Sequence, residues 1–325
     1  MITRRRLVIA LGAGALAAPL ASFAQQQPAK VPRVGILGAA PGPQWDTFKQ
    51  GLRDLGYSES RNIALEYRWT EGKNERLPAL AAELIGLRVD IIVAEGTPAT
   101  QAAKKATGTI PIVMAIVGDP VGVGLVTSLV RPGGNITGSS SMSPDLSAKQ
   151  MELLKEVVPS LTHLAILRNP ANQSTGLALK GIETAARVLR VHLIFVEARG
   201  RDEFEKSFST VVRERAGGLL VIPDPTFDAE QSGLADFASK NRLPALYNKT
   251  LFAEAGGLMS YGARYSDFFG RAAIYVDKIL KGAKPAELPI EQPTRFELVI
   301  NMKTAKALGI KIPNSILVRA NRVIE

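Results

Sequence analysis

Asp119 and Asp224 each end an apolar run with a proline directly after, in Val117-Gly118-Asp119-Pro120 and Ile222-Pro223-Asp224-Pro225. Proline biases the residue before it toward extended backbone, which aims both carboxylates outward. Thr97 and Ser174 stand where helical patterns begin, beside first-turn N–H groups that lack intrachain partners and favour an anion. Gly96, Asn169, Asn172 and Thr226 share these loops, and Gln44 follows the first apolar run. Carboxylates for a cation together with hydroxyl and amide donors for an anion suit a zwitterion, such as a free amino acid or related amino-carboxylate. Trp45, Phe227, Tyr247 and Tyr261 are candidates for an aromatic wall. Each group also has a plainer use: Thr97 and Ser174 as helix N-caps, the aspartates as turn braces, Tyr247 or Tyr261 as core.

Other chemistries find less support. Asp119 and Asp224 facing each other across a cleft would suit an acid/base pair, but no nucleophile or metal set accompanies them. Gly118-x-x-x-Gly122-x-Gly124 lacks dinucleotide spacing, and no phosphate-loop lysine motif, G-x-S-x-G or H-E-x-x-H occurs. The absence of cysteine excludes disulfides, thiolate metal sites, cysteine nucleophiles and a lipid-bearing cysteine. His163 and His192 each begin an apolar run, at the end of a strand away from the ligand-binding loops. No catalytic residue, metal site or cofactor is expected.

The elements that must position these groups alternate. Short apolar runs at 34–38, 63–69, 90–94 and 110–117 are separated by helical patterns at 44–56, 75–87 and 97–106. A second series follows, with strands expected at 164–168, 192–196, 218–222 and 244–247 and helices at 146–158, 175–189, 202–214 and 228–241. Such alternation predicts parallel sheets covered by helices on both faces, and the runs are too continuously apolar for a sheet with one wet face. Ligands of open parallel sheets bind beyond the carboxyl ends of the strands, which is where the candidate residues lie. A helix at 265–281 and a strand at 296–300 complete two similar lobes, with chain crossings near 137–143, 258–263 and 286–294. Three crossings make a hinge.

The chain has 325 residues, 46% hydrophobic and 22% charged, with a formal net charge of +10. Three of those charges are Arg4, Arg5 and Arg6, in a segment that reads as a secretory leader: charged start, apolar middle, and a small-residue ending at Ser22-Phe23-Ala24. Thr3-Arg4-Arg5-Arg6-Leu7 resembles the twin-arginine export signal. The apolar stretch is shorter than the ~20 residues that cross a bilayer, so cleavage after Ala24 and release into the periplasm are expected. The mature surplus is unclustered and argues for no nucleic-acid partner.

Longer strings carry a resemblance. Ala115-Ile116-Val117-Gly118-Asp119-Pro120-Val121-Gly122, then Ser128-Leu129-Val130-Arg131-Pro132-Gly133-Gly134-Asn135-Ile136-Thr137-Gly138, and Gly256-Gly257-Leu258-Met259-Ser260-Tyr261-Gly262 are such strings. With the segments 272–283 and 291–301, they resemble the ABC-transporter substrate-binding proteins related to the tryptophan/tyrosine-binding type, over essentially all of residues 31–325. The resemblance implies a type I periplasmic-binding fold: α/β, with two doubly wound parallel-sheet lobes joined by a three-crossing hinge. It adds support for Asp119, Asn169, Ser174 and Asp224 as ligand contacts. It implies a monomer that binds a small organic solute and delivers it to an ABC permease in the inner membrane. The expected organisation is leader 1–24, linker 25–30, one lobe from 31–138 with 262–288, and the other from 139–261 with 289–325. A same-fold protein feeding a membrane sensor, or a cleft enzyme using Asp119 and Asp224, remains open on the residues alone. A ligand-responsive regulator of this fold would need a DNA-binding headpiece where the chain has a leader.

Overall fold

The computed structural model describes residues 31–325, save the side chains of 143–145, so the expected leader and linker lie outside the described residues. The first half runs β1 (Arg33–Gly38), α1 (Pro43–Asp54), β2 (Ala64–Trp69), α2 (Leu77–Gly86), β3 (Ile91–Glu95), α3 (Gly96–Ala106), β4 (Ile112–Val117) and β5 (Ile136–Ser140). There follow α4 (Ser143–Val157), β6 (His163–Arg168), α5 (Ser174–Leu189), β7 (His192–Glu197), α6 (Phe204–Arg213), β8 (Leu219–Val221), α7 (Pro225–Ala229), α8 (Gln231–Lys240) and β9 (Ala245–Tyr247). The chain ends with α9 (Thr250–Glu254), β10 (Met259–Ala263), α10 (Tyr265–Leu280), β11 (Phe296–Asn301), α11 (Met302–Leu308), α12 (Asn314–Arg319) and β12 (Arg322–Ile324).

These strands form two sheets, ordered β2-β1-β3-β4-β5 and β12-β11-β10-β9-β8-β6-β7. Every pairing is parallel except β10 with β11. Both faces of each sheet are covered, and the period-two alternation of a strand assigns successive residues to opposite cores. In the first sheet Val34, Ile36, Ile91, Val93 and Val113 pack against α1 and α10. Leu37, Ile92, Ala94, Ile112 and Met114 pack on the other side against α2 and α3. In the second sheet Leu164, Ile166, Leu220 and Leu246 face α4 and α5, while Ala165, Leu167, Leu219 and Val221 face α6 and α8.

The polypeptide passes between the sheets three times. It leaves β5 through Met142, a non-glycine residue at φ 54°, and enters α4. After β10 it returns through Arg264 to α10, which packs on the first sheet. The last passage runs alongside β5, with Glu291 N–H donating to Gly138 O at 3.0 Å and Ser140 N–H to Glu291 O at 2.9 Å, before β11 joins the second sheet. These pairings adjoin a bulge in β4, where the register shifts between Met114 and Val117. Gly138 makes it feasible: at φ +132° a Cβ would sit 2.2 Å from Met114 O.

Several features differ from the sequence-based expectation. The helix expected at 228–241 is two helices, because Asp224 caps α7 by accepting from Thr226 N–H and Pro225 starts it early. The terminal β12 extends the second sheet beyond the strand expected at 296–300, and β5, α9 and β10 form where no strand or helix is expected.

Candidate functional site

The loops after β3 and β4 meet those after β6, β8 and β9 around a cavity of about 40 Å³. The N-termini of α3 and α5 meet at it, and α7 and α10 also begin there, at Pro225 and Tyr265. Gly96 and Thr97 open α3 and Ser174 opens α5, and Thr97 Oγ1 and Ser174 Oγ share a hydrogen bond of 2.6 Å between the two sheets. Gln101 donates to Gln173 just outside. Gly96, at φ +85°, lets the backbones approach, since a Cβ there would lie 2.6 Å from Pro225. The positive ends of both helix dipoles therefore converge on one wall.

Carboxylates also border the cavity, Asp224 and Asp228 among its lining. Asp224 Oδ1 accepts from Asn169 Nδ2 at 3.2 Å and Thr226 N–H at 2.9 Å, and Oδ2 from Asn172 Nδ2 at 2.8 Å. Asp228 Oδ2 pairs with Lys249 Nζ at 2.5 Å, while its Oδ1 is buried without a hydrogen-bond partner. Glu95, 3% exposed, accepts from Ala39 N–H at 3.2 Å and from the Tyr265 hydroxyl at 2.8 Å. Lys249, 6% exposed, holds its ammonium 3.2 Å from the Tyr265 ring centroid. Ile116, Ala178 and Ile222 supply apolar wall.

Of the residues singled out by sequence, Gly96, Thr97, Asn172, Ser174 and Asp224 line this cavity. Asn169 braces Asp224 from behind, and the Thr226 hydroxyl accepts from Asn74 Nδ2 at 3.4 Å across the cleft. The remaining six lie elsewhere. Asp119 braces its own turn, its Oδ1 accepting from Gly122 N–H at 2.8 Å, so it does not face Asp224 as an acid/base partner. Trp45 is core, wedged among Phe48, Trp69 and Phe269, because it shares a helical face with Phe48 and Leu52. Phe227 and Tyr247 are fully buried beneath the second sheet, and Tyr261 stacks on Phe296. The expected aromatic wall is thus absorbed by the cores, leaving Tyr265 as the cavity's aromatic face. Gln44 lines a separate lateral groove of about 440 Å³ that shares Lys249 and Tyr265 with the cavity.

The architecture is matched elsewhere. The family model for the ABC transporter substrate binding protein matches residues 40–324. This chain belongs to that family. It is 27% identical over 290 residues to a tyrosine-binding protein of Clostridioides difficile (strain R20291), covering 87% of this chain and 82% of that one. A conserved domain protein from Vibrio cholerae superposes with a TM-score of 0.84 at 29% identity, covering 90% of this chain and 100% of the other. An ABC domain from Streptococcus pneumonia in complex with L-Trp superposes at 0.83 with 26% identity, covering 90% and 99%. The fold is that of type I periplasmic binding proteins. The family binds substrates and does not transform them. Among the described residues no helix is long and apolar enough to cross a membrane, and no cluster of histidine and carboxylate side chains is arranged to hold a metal ion.

For a substrate-binding protein, the charge state of this cleft decides which groups it accepts. Burial raises the Asp224 carboxyl, against the lowering effect of Asn172, Thr226 and Asn169. Asp228 is pushed up to about 6, because burial together with the charges of Glu95 and Asp224 outweighs Lys249. Burial and then the charge of Glu95 hold the Tyr265 phenol far above its ordinary value, so it stays protonated and donates to Glu95. Glu95, Asp228, Lys249 and Tyr265 are functional-site residues that the strand-end reading did not single out. For Glu95 and Lys249 the signal was present, as charged residues directly at the ends of apolar strands.

Proposed function

We propose that the chain is the exported solute-binding protein of an ABC import system, closing two lobes on an amino acid and handing it to an inner-membrane permease. The observation that carries this reading is the polarity of the cavity. The N-termini of α3 and α5 meet at it with their hydroxyls, Asp224 and Asp228 line the same cavity, and Glu95 stands behind Tyr265. The carboxylate of a zwitterion suits the helix starts and its ammonium the carboxylates. The names of its relatives, one tyrosine-binding and one holding L-Trp, support an aromatic amino acid. At about 40 Å³ the cavity holds little more than a water molecule's share of space, ~30 Å³. Cargo must therefore part the lobes to enter, and its side chain has the lateral groove beside Lys249 and Tyr265 to extend into.

On this reading, the lobes expected at 31–138 with 262–288 and at 139–261 with 289–325 move as two bodies about the three passages, β5 staying whole with the first sheet and β10 with the second. The twin-arginine-like leader supports export, with a monomer working in the periplasm. The test is a thermal-shift and calorimetric screen of the protein against amino acids and aromatic carboxylates. A ligand at 100 times its Kd raises stability by about 2.7 kcal/mol. L-tyrosine or L-tryptophan is expected to stabilise the protein and reduce its radius of gyration. A response confined to carboxylates without an amine would refute the amino-acid assignment, and turnover of a bound solute would refute the transport role.

A further inference from the structure

The cleft already contains a cation, in an arrangement that would read any primary ammonium. Lys249 Nζ lies 2.5 Å from Asp228 Oδ2 and 3.2 Å from the centre of the Tyr265 ring. A carboxylate facing an aromatic ring supplies a charge-assisted hydrogen bond and a cation–π contact, and both strengthen away from water. Three features are more than a structural ion pair requires. Asp228 Oδ1 is buried and unpartnered. Glu95 and Asp224 lie close enough to act on the charge of Asp228, so a single lysine leaves negative charge in excess. Lys249 and Tyr265 also line the lateral groove, which gives the lysine an exit that does not cross the cavity.

We infer that Lys249 is a tethered stand-in for the cargo's ammonium: a primary amine displaces it from the Asp228–Tyr265 box, and the lysine swings into the lateral groove. The inference rests on the solute-binding reading and narrows it, making a primary amine the group that cargo must carry. A lysine that instead anchors the cargo's carboxylate would behave oppositely under mutation.

The decisive experiment needs no knowledge of the cargo. Lys249→Ala excises the lysine beyond Cβ, three carbons and the ammonium, which n-propylammonium reproduces, so n-propylammonium should bind this variant and raise its melting temperature. Propanoate and n-propanol should not, and the wild-type protein should respond at least about tenfold more weakly. Asp228→Asn/Lys249→Ala, with the box neutralised, should show no response. Failure of n-propylammonium to act on Lys249→Ala, or an equal response in the double variant, overturns the inference. If Lys249→Ala does not fold, Lys249→Met keeps the stem and decides the matter with aromatic probes. Tyramine should bind about tenfold or more tightly than to wild type, with 3-(4-hydroxyphenyl)propionate unchanged. Weakened or unaltered tyramine binding overturns the inference. Rescue by n-propylammonium in a protein that binds no amino acid would sink the proposed cargo and leave the box standing.

Discussion

The hydrogen bond between Thr97 and Ser174 offers a direct test of whether the lobes close as described. Both residues are buried, at 2% and 7% exposure, and their hydroxyl oxygens are 2.6 Å apart across the cleft. With the lobes parted both hydroxyls would be in water, so the bond stabilises only the closed form. Thr97→Val keeps the shape and strands the Ser174 hydroxyl, a loss of about 1–3 kcal/mol in a buried site. That corresponds to a roughly 5- to 150-fold fall in the closed-to-open ratio. Where the closed form is the minor one, apparent Kd for any solute rises by the same factor. Ser174→Ala should act similarly. Removing both hydroxyls should cost less than the sum of the single changes, because neither is then left unpaired. Small-angle scattering without solute, and calorimetry with the tightest solute of the screen, measure the two effects on all three variants. Strictly additive single changes, or apparent Kd values that match the wild type, would show that the two hydroxyls do not couple the lobes and refute the closed geometry.

Further outcomes follow from individual residues. Asp228 has a folded-state pKa of about 6 against an ordinary 3.8, so its protonation contributes stability that is fully present below 3.8 and lost as pH rises through about 6. The difference between wild type and Asp228→Asn in urea midpoints should change by up to about 3 kcal/mol across that window, and a flat difference would contradict the burial of this carboxyl. Binding of an amine-bearing solute should conversely weaken as pH falls through about 6, read by calorimetry. Gly138→Ala drives a Cβ to within 2.2 Å of Met114 O and should cost more than about 3 kcal/mol in urea unfolding. Gly134→Ala, with nothing within 4 Å, should stay within about 0.5 kcal/mol. Asp224→Ala removes the cap of α7 and strands Asn169 and Asn172, so it should lose roughly 1–2 kcal/mol of stability together with solute binding.

The sheets were legible because runs such as Val34–Leu37 and Ile91–Ala94 are apolar at every position, which only a strand covered on both faces tolerates. The strand-end rule led to Gly96, Thr97, Asn172, Ser174 and Asp224 because such loops lie next to the cleft by construction. The aromatic candidates misled for a physical reason. A large ring at a strand end serves the core as readily as a ligand, and the spacing of Trp45, Phe48 and Leu52 was itself the mark of a buried helical face. The box of Asp228, Lys249 and Tyr265 was not legible, since it joins α7, the loop after β9 and the start of α10, and no local pattern records a contact across a cleft. The antiparallel β11 and the closing β12 were similarly set by tertiary pairing.

The distribution of unsatisfied polarity also separates what folds this chain from what it does. Each sheet carries its own pair of apolar layers, and the clusters on one sheet are distinct from those on the other. Neither lobe therefore depends on the cleft for its core. The cleft instead holds a buried ion pair, an orphaned carboxylate oxygen and the Asp224 carboxyl, with Glu95 buried behind Tyr265. Buried ion pairs are poor sources of stability, and a half-satisfied one is worse than an apolar contact. An arrangement that costs free energy when the lobes meet empty, and that releases its lysine to the groove when the solute's amine takes its place, gives the solute a differential affinity for the closed form. Only such a difference lets binding shift the population of lobes from open to closed. A cleft lined to be self-sufficient would close just as readily without cargo, and a permease could not distinguish the loaded protein from the empty one.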